Sequence, residues 1–351
     1  MYEGLSEFLE EHKTRRHELK ELQKDESILT ENKRRFVLFP IKYHEIYDAY
    51  KKREALFWTA EELDFSKDIQ NWNDDKITKD EKEYFIRLLA LFASNDMDRE
   101  NLTEHLSAEC QTPEAKCFYG FQIMVDNIHQ EVYGILIDSL VKDDEKRTSM
   151  FEEIKDLTNI KEKIEYAKSW FENEDNLFGE KLIAEAAVLG IFSLSAYVSV
   201  LSFQKGGLIP GFVTGVDNML RDRGLHVDFC CLMYAHLKNQ IDSEIVQKII
   251  VDAVEIEKKS LLKALPIIKV NLKIDEMNQF IEYVADSILV AFGNEKHYNA
   301  TNPYEFMENV VLPGNTNSLA KTIADAQKAS EFAKTSKPDA ETTTFSFNED
   351  F

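Results

Sequence analysis

The sequence predicts an all-α protein, a single bundle of long helices with a tail at each end. From Trp72 to about residue 295 the 351-residue chain is nearly free of proline, and its apolar residues recur at helical spacing. Four segments dominate the pattern, roughly 80–107, 115–141, 178–204 and 217–238. The third contains KLIAEAAVLGIFSLSAYVSVLSF, apolar almost all round with Glu185 as its one internal charge, which places it at the bundle centre. Length alone would suggest two domains, but an all-helical core can absorb it as one.

Residues 1–33 are dense in Lys and Glu and read as a solvated helical arm that packs only through Leu5, Phe8 and Leu9. Residues 34–327 form the bundle domain. Near its start Pro40 interrupts the periodicity of RRFVLFPIKYHEIYDAY, and Thr59 ahead of Glu61 and Glu62 looks like a helix start. Residues 328–351 mix small, polar and charged side chains without an apolar period, a composition expected to be disordered in isolation. The last seven residues differ from the rest of this tail. Phe345, Phe347 and Phe351 are interleaved with two acids and end in a carboxylate, the make-up of a peptide that docks into a groove.

Composition narrows the function. Against 42 Lys and Arg stand 64 Asp and Glu, a formal net charge of −22. Such a field repels phosphate backbones, so nucleic acid is not expected as a direct partner. No stretch of about 18 apolar residues lacks charge or strong polar interruption at both flanks, and MYEGLSEFLEEHK lacks a signal-peptide core, so the chain reads as cytoplasmic and off the membrane. Cys110, Cys117, Cys230 and Cys231 show no C-x-x-C spacing and read as reduced thiols packed in helices.

The chemistry begins in CFYGFQIMVDNIHQEVYGILID. At about 100° per residue, Asp126, His129 and Tyr133 fall within a narrow arc of an otherwise apolar helix. A carboxylate and an imidazole three residues apart is the pair with which a ferritin-like bundle holds one metal of a dinuclear centre, other helices adding carboxylates. A lone D-x-x-H is more often a satisfied core pair, so the surrounding motifs decide.

Those motifs are FWTAEELDFSKDIQNW, CFYGFQIMVDNIH, RDRGLHVDF, IEYVADSILVAFGNEKHYNATNPYEFMENV and FSFNEDF. Together, from about Asn32 to the C-terminus, they resemble the eukaryotic type of class I ribonucleotide reductase small subunit. The resemblance implies a ferritin-like helical dimer around a diiron-oxo centre that generates a tyrosyl radical. It also implies a separate large subunit, which uses that radical to reduce ribonucleoside diphosphates for DNA replication.

Carried onto this sequence, the resemblance puts His129 and His226 at the two imidazole ligand positions and Asp126 where the family has Glu. The first carboxylate falls in SNDMDREN, matched by Asp96 with Asn95 and Asp98 as alternatives. Leu189 and Arg223 stand where two further glutamates belong. Leucine has no lone pair to offer, and a guanidinium is permanently cationic with no acceptor. Glu185, one turn before Leu189, is the nearest substitute, but it is expected to pair with Arg223 instead. The resemblance also places the radical at Tyr133 and an electron relay on Trp58, Asp222 and His129. Ser193 stands where a phenylalanine would shield the radical, and Ala326 where a tyrosine would hand it to the large subunit.

The cofactor expected in this chain is therefore no metal or a partial set, with Arg223 hydrogen-bonding Asp96, Asp126 or Glu185 to neutralise the cavity. The favoured reading is an auxiliary subunit. It would support an intact small subunit, in a homodimer or heterodimer with the choice left open, and offer 345–351 to the large subunit. An active metal-radical subunit with an altered site built from Glu185, Asp96 and Asp126 is the first alternative. A ferritin-like interaction protein outside nucleotide metabolism is the second, and it has no explanation for the FSFNEDF end.

Overall fold

The computed structural model describes residues 5–155, 158–263 and 267–308, and within them not the side chains of 5–6, 94–101, 154–155, 158–159, 262–263 and 268. Ala326 and the peptide 345–351 lie outside the described residues, as do the side chains of Leu5, Asn95, Asp96 and Asp98. The described residues form α1 (Leu5–Glu11), α2 (Lys13–Gln23), α3 (His44–Ala55), α4 (Ser66–Asn73), α5 (Lys79–Glu109), α6 (Pro113–Leu140) and α7 (Asp144–Lys155). They continue with α8 (Thr158–Phe171), α9 (Phe178–Gly190), α10 (Leu194–Leu201), α11 (Pro210–Ala235), α12 (Ser243–Lys263) and α13 (Ile274–Ala291). The architecture is all-α, as the periodicity predicts. α9 sits in the middle, packed against α5, α8, α11, α12 and α13 and buried along its whole length.

Local chemistry sets the ends of the helices that carry the site. α5 opens on a capping box in which Thr78 Oγ1 accepts from the Glu81 N–H at 3.3 Å and Glu81 accepts from the Thr78 N–H at 2.8 Å. α6 and α11 open on proline, whose missing N–H costs nothing in the first turn. The first turn of α11 is further held by buried Asp68, which accepts from the Gly211 and Phe212 amides at 2.9 and 2.8 Å. Only glycine fits at 211, because a Cβ there would lie 2.4 Å from the Asp64 carbonyl oxygen. This anchor fixes where Asp222, Arg223 and His226 fall along α11. Thr59 does open a helical turn, the short 3₁₀ segment Ala60–Glu62, with its amide donating to Glu62 at 3.1 Å.

Two expectations are corrected. The continuous helix 178–204 is two helices, interrupted where Ser193 takes a left-handed φ of 67°. Buried Glu257 of α12 answers the amides exposed by the break, accepting from the Ser193 and Ser195 N–H groups at 3.3 and 3.4 Å and from Ser195 Oγ at 2.5 Å. Lys163 of α8 balances that carboxylate at 2.6 Å. Phe178–Gly206 is the one stretch among the described residues apolar and long enough to cross a membrane, and 94% of its most apolar window is buried inside the bundle.

The N-terminal arm is the second correction. Its contacts extend well past Phe8 and Leu9: Leu19 and Ile28 are buried, and Arg16 grips both oxygens of buried Glu180 on α9 at 2.6 and 2.8 Å. The Lys and Glu density describes the outward face of α2 and says nothing of the inward one.

Beyond the arm, Glu114 in the first turn of α6 ties down the following segment. It accepts from Arg35 at 2.8 and 2.7 Å and from the Lys42 and Tyr43 amides at 2.8 and 3.2 Å. Burial alone would raise this carboxyl, but the guanidinium and the amides outweigh it and hold the pKa at about 2, against an ordinary 4.5. A depressed folded-state pKa stabilises the protein above the unfolded value and loses that stability as pH falls through the folded one. Glu114→Gln is thus expected to cost on the order of 2–3 kcal/mol at neutral pH. The gap from wild type should close between about pH 4.5 and 2 in chemical-denaturation curves. A gap that stays constant across that window would refute the assignment.

Candidate metal centre

α5, α6, α9 and α11 bring the candidate residues to the bundle centre. Asp126, His129 and Tyr133 lie on the buried face of α6, and Asp222, Arg223 and His226 on the buried face of α11. His129 is fully enclosed, with Nε2 3.0 Å from Asp222 Oδ2 and Nδ1 3.8 Å from Asp126 Oδ1, the latter too long for a hydrogen bond. Trp58 Nε1–H donates to the same Asp222 oxygen at 2.8 Å, and its indole stacks on the His129 ring at 5.9 Å between centroids. Trp58, Asp222 and His129 thus meet in one hydrogen-bonded cluster. His226 is fully buried one turn beyond Asp222, edge-on to Phe118.

Asp222 is flanked by a residue that the sequence did not single out. Arg53 of α3, fully buried, places Nη2 3.0 Å from Asp222 Oδ1. Burial pushes the Asp222 carboxyl up, but Arg53 and His129 together hold it below the usual aspartate range.

Arg223 does not behave as expected. Its guanidinium runs past the carboxylates to the end of α9, donating to the carbonyls of Leu189 at 2.7 Å, Val188 at 3.1 Å and Phe192 at 2.8 Å, and to Tyr197 Oη at 2.9 Å. Of its three expected partners it hydrogen-bonds neither Asp126 nor Glu185, and the side chain of the third, Asp96, lies outside the described residues. The physical reason is the break after α9: the last carbonyls of a helix lack intrahelical donors and carry the negative end of its dipole. A long planar donor finds four acceptors there.

Glu185 is correspondingly not paired with Arg223. Thr103 and Gln122 donate to it at 2.8 and 3.0 Å, and Cys230 lies 3.7 Å from its other oxygen. Burial raises its pKa to about 7, the two donors pulling the other way. Leu189 contributes only an aliphatic side chain and a backbone carbonyl.

Around Tyr133, the hydroxyl lies 3.1 Å from Tyr197 Oη, and Phe92 stacks on both rings at 5.1 and 4.6 Å. Ser193 proves to be the residue that turns the chain between α9 and α10. Sequence reasoning missed Arg53, Thr103, Gln122 and Tyr197. Gln122 was findable, since it lies one turn before Asp126 on the same face. Tyr197 was too, because a buried phenol in an apolar helix calls for a partner.

The model of the family described as "Ribonucleotide reductase, small chain" matches residues 35–303. Ribonucleoside-diphosphate reductase small chain 1 of Saccharomyces cerevisiae is 48% identical over 345 residues, covering 98% of this chain and 86% of that one. Small chain 2 of the same yeast is 45% identical over 350 residues, covering 99% of this chain and 100% of the other. The solved structure of the Rnr4 homodimer from S. cerevisiae superposes with a TM-score of 0.83 at 44% identity, over 92% of this chain and 99% of that chain. The ferritin-like bundle, the motifs and these matches agree: this chain belongs to the ribonucleotide reductase small-chain family.

Proposed function

We propose that this chain is an auxiliary small subunit of ribonucleoside-diphosphate reductase, acting in the cytoplasm. It pairs with an intact small subunit and brings a docking peptide, 345–351, to the large subunit, without generating a radical of its own. The observation that carries this reading is the commitment of Arg223 to the end of α9, beside a leucine at 189.

The residues do not fit the dinuclear centre that the family implies. Two divalent metals would bring +4, against which Asp126 and, by position, Asp96 supply −2. Glu185 is engaged with Thr103 and Gln122 and favours the proton-bound form more than an ordinary carboxyl does. Uncompensated buried charge costs several kcal/mol per ion, more than two imidazoles return. Membership of the small-chain family removes the ground for a role outside nucleotide metabolism.

Subunit pairing is supported by an apolar surface. Phe36, Val37, Phe39 and Phe57 are exposed, and aromatic contacts run from Phe39 through Tyr47, Tyr50 and Phe121 to Phe57. A patch of this kind marks an interface, and a second small subunit of the same fold is the occupant we assign to it.

Reconstituting the purified chain with ferrous iron and oxygen tests the reading. Fewer than about one tightly held iron per chain and no oxo-bridge absorption are expected, since metal affinity needs a complete, deprotonated ligand set. Two tightly held irons per chain with that absorption would overturn it.

A further inference from the structure

We propose that Arg53 is a fixed cation that keeps divalent metal off the His129–Asp126 pair by holding Asp222. Asp222 sets the orientation of His129. Its Nε2 is held by Asp222 at 3.0 Å, which turns Nδ1 toward Asp126 at 3.8 Å. An imidazole fixed at one nitrogen by a carboxylate, with the other facing a second carboxylate, is the arrangement in which histidine binds metal most strongly. The anchoring carboxylate orients the ring and adds negative charge beside the ion.

Arg53 counters the second of these effects. It is fully buried, lies 3.0 Å from the Asp222 oxygen not used by His129 and Trp58, and sits over the Phe121 ring at 5.4 Å. Its charge also acts on Asp126. A guanidinium stays protonated under all physiological conditions, so Asp222 orients His129 while its charge is already neutralised. The half-site is kept in shape and deprived of the field that would draw in a cation. Nothing in KKREALFW marks this arginine, which reads as one more charge on an exposed helix.

The inference rests on the auxiliary reading only in requiring that the wild-type chain hold no dinuclear centre. Full-length wild type, Arg53→Gln, Arg53→Met and Arg53→Lys are titrated with Co²⁺, followed by calorimetry and by the visible absorption of nitrogen- and oxygen-ligated Co²⁺. Arg53→Gln, which keeps an amide donor for Asp222 without the charge, is expected to bind about one Co²⁺ per chain at least tenfold more tightly than wild type. Arg53→Met should do the same, Arg53→Lys should resemble wild type, and adding Asp126→Asn to Arg53→Gln should abolish the gain. A neutral variant that folds only when Co²⁺ is present also supports the proposal. It is overturned if folded neutral variants bind no better than wild type, if the gain survives Asp126→Asn, or if neutral variants fail to fold with or without Co²⁺ while Arg53→Lys folds. Two tight metals in wild type would instead overturn the auxiliary reading, an outcome distinct from any of these.

Discussion

Arg223→Ala is expected to lower the thermal midpoint of the isolated chain by roughly 5–15 °C, corresponding to about 3–5 kcal/mol in a domain of this size. The side chain is 2% exposed and answers three backbone carbonyls and a phenol, none of which has water to turn to. Each buried acceptor left without a donor costs about 1–3 kcal/mol, partly offset by no longer burying a guanidinium. Arg223→Lys should fall between wild type and alanine, since a point charge with three donors cannot span acceptors spread over a helix end. Melting curves of the three proteins decide the matter. An alanine variant melting within about a degree of wild type would mean that the α9–α10 break holds itself together without Arg223.

The second large effect is one of partnership. Mixed with large subunit alone, this chain is expected to reduce no nucleoside diphosphate above contaminant level and to show no tyrosyl radical in electron paramagnetic resonance. Adding an intact small subunit should bring activity. Part of the reason is chemical: Tyr133 hydrogen-bonds Tyr197, which receives a hydrogen bond from Arg223 and lies under its guanidinium at 4.9 Å. The cation lies beside Tyr197, one hydrogen bond from Tyr133, and in a low-dielectric core it opposes loss of an electron from either phenol while the phenol proton is retained. The tail gives an internal control, since burying Phe345, Phe347 and Phe351 is worth roughly 1.5–3 kcal/mol each before the ordering cost. Deleting 345–351 should weaken large-subunit association and leave the melting temperature unchanged. A radical signal accompanied by turnover from this chain and large subunit alone would refute the auxiliary role.

What could be read from the sequence follows from where the causes sit. α5, α6 and α11 were legible because their starts are written locally, in Thr78 with Glu81, in Pro113 and in Pro210, and because their buried faces keep a helical period. The α9–α10 break was not legible. Its apolar run carries no proline, and the groups that stabilise it, Arg223 and Glu257, come from helices 30 and more residues later. The site was legible as a set of residue types at family positions, and Asp126, His129, Asp222 and Trp58 do converge. The destination of Arg223 is not legible from spacing, which tells which helix face a residue occupies, whereas a side chain as long as arginine can leave that neighbourhood. Arg53 was invisible for the opposite reason: its helix looks solvated, and only the crossing of α3 with α6 and α11 buries it.

The dependence of the α9–α10 break on later residues has a consequence for synthesis. While the chain is being made, Phe178–Gly206 is complete well before Arg223 and Glu257 exist. For that interval the nascent polypeptide carries a long apolar segment whose carbonyls and amides at the break have no assigned partners, the situation in which non-native association competes with folding. The bundle centre is therefore finished only when the chain has been extended past Glu257, and chaperones that shield apolar nascent segments have their greatest opportunity on this protein during the translation of α11 and α12.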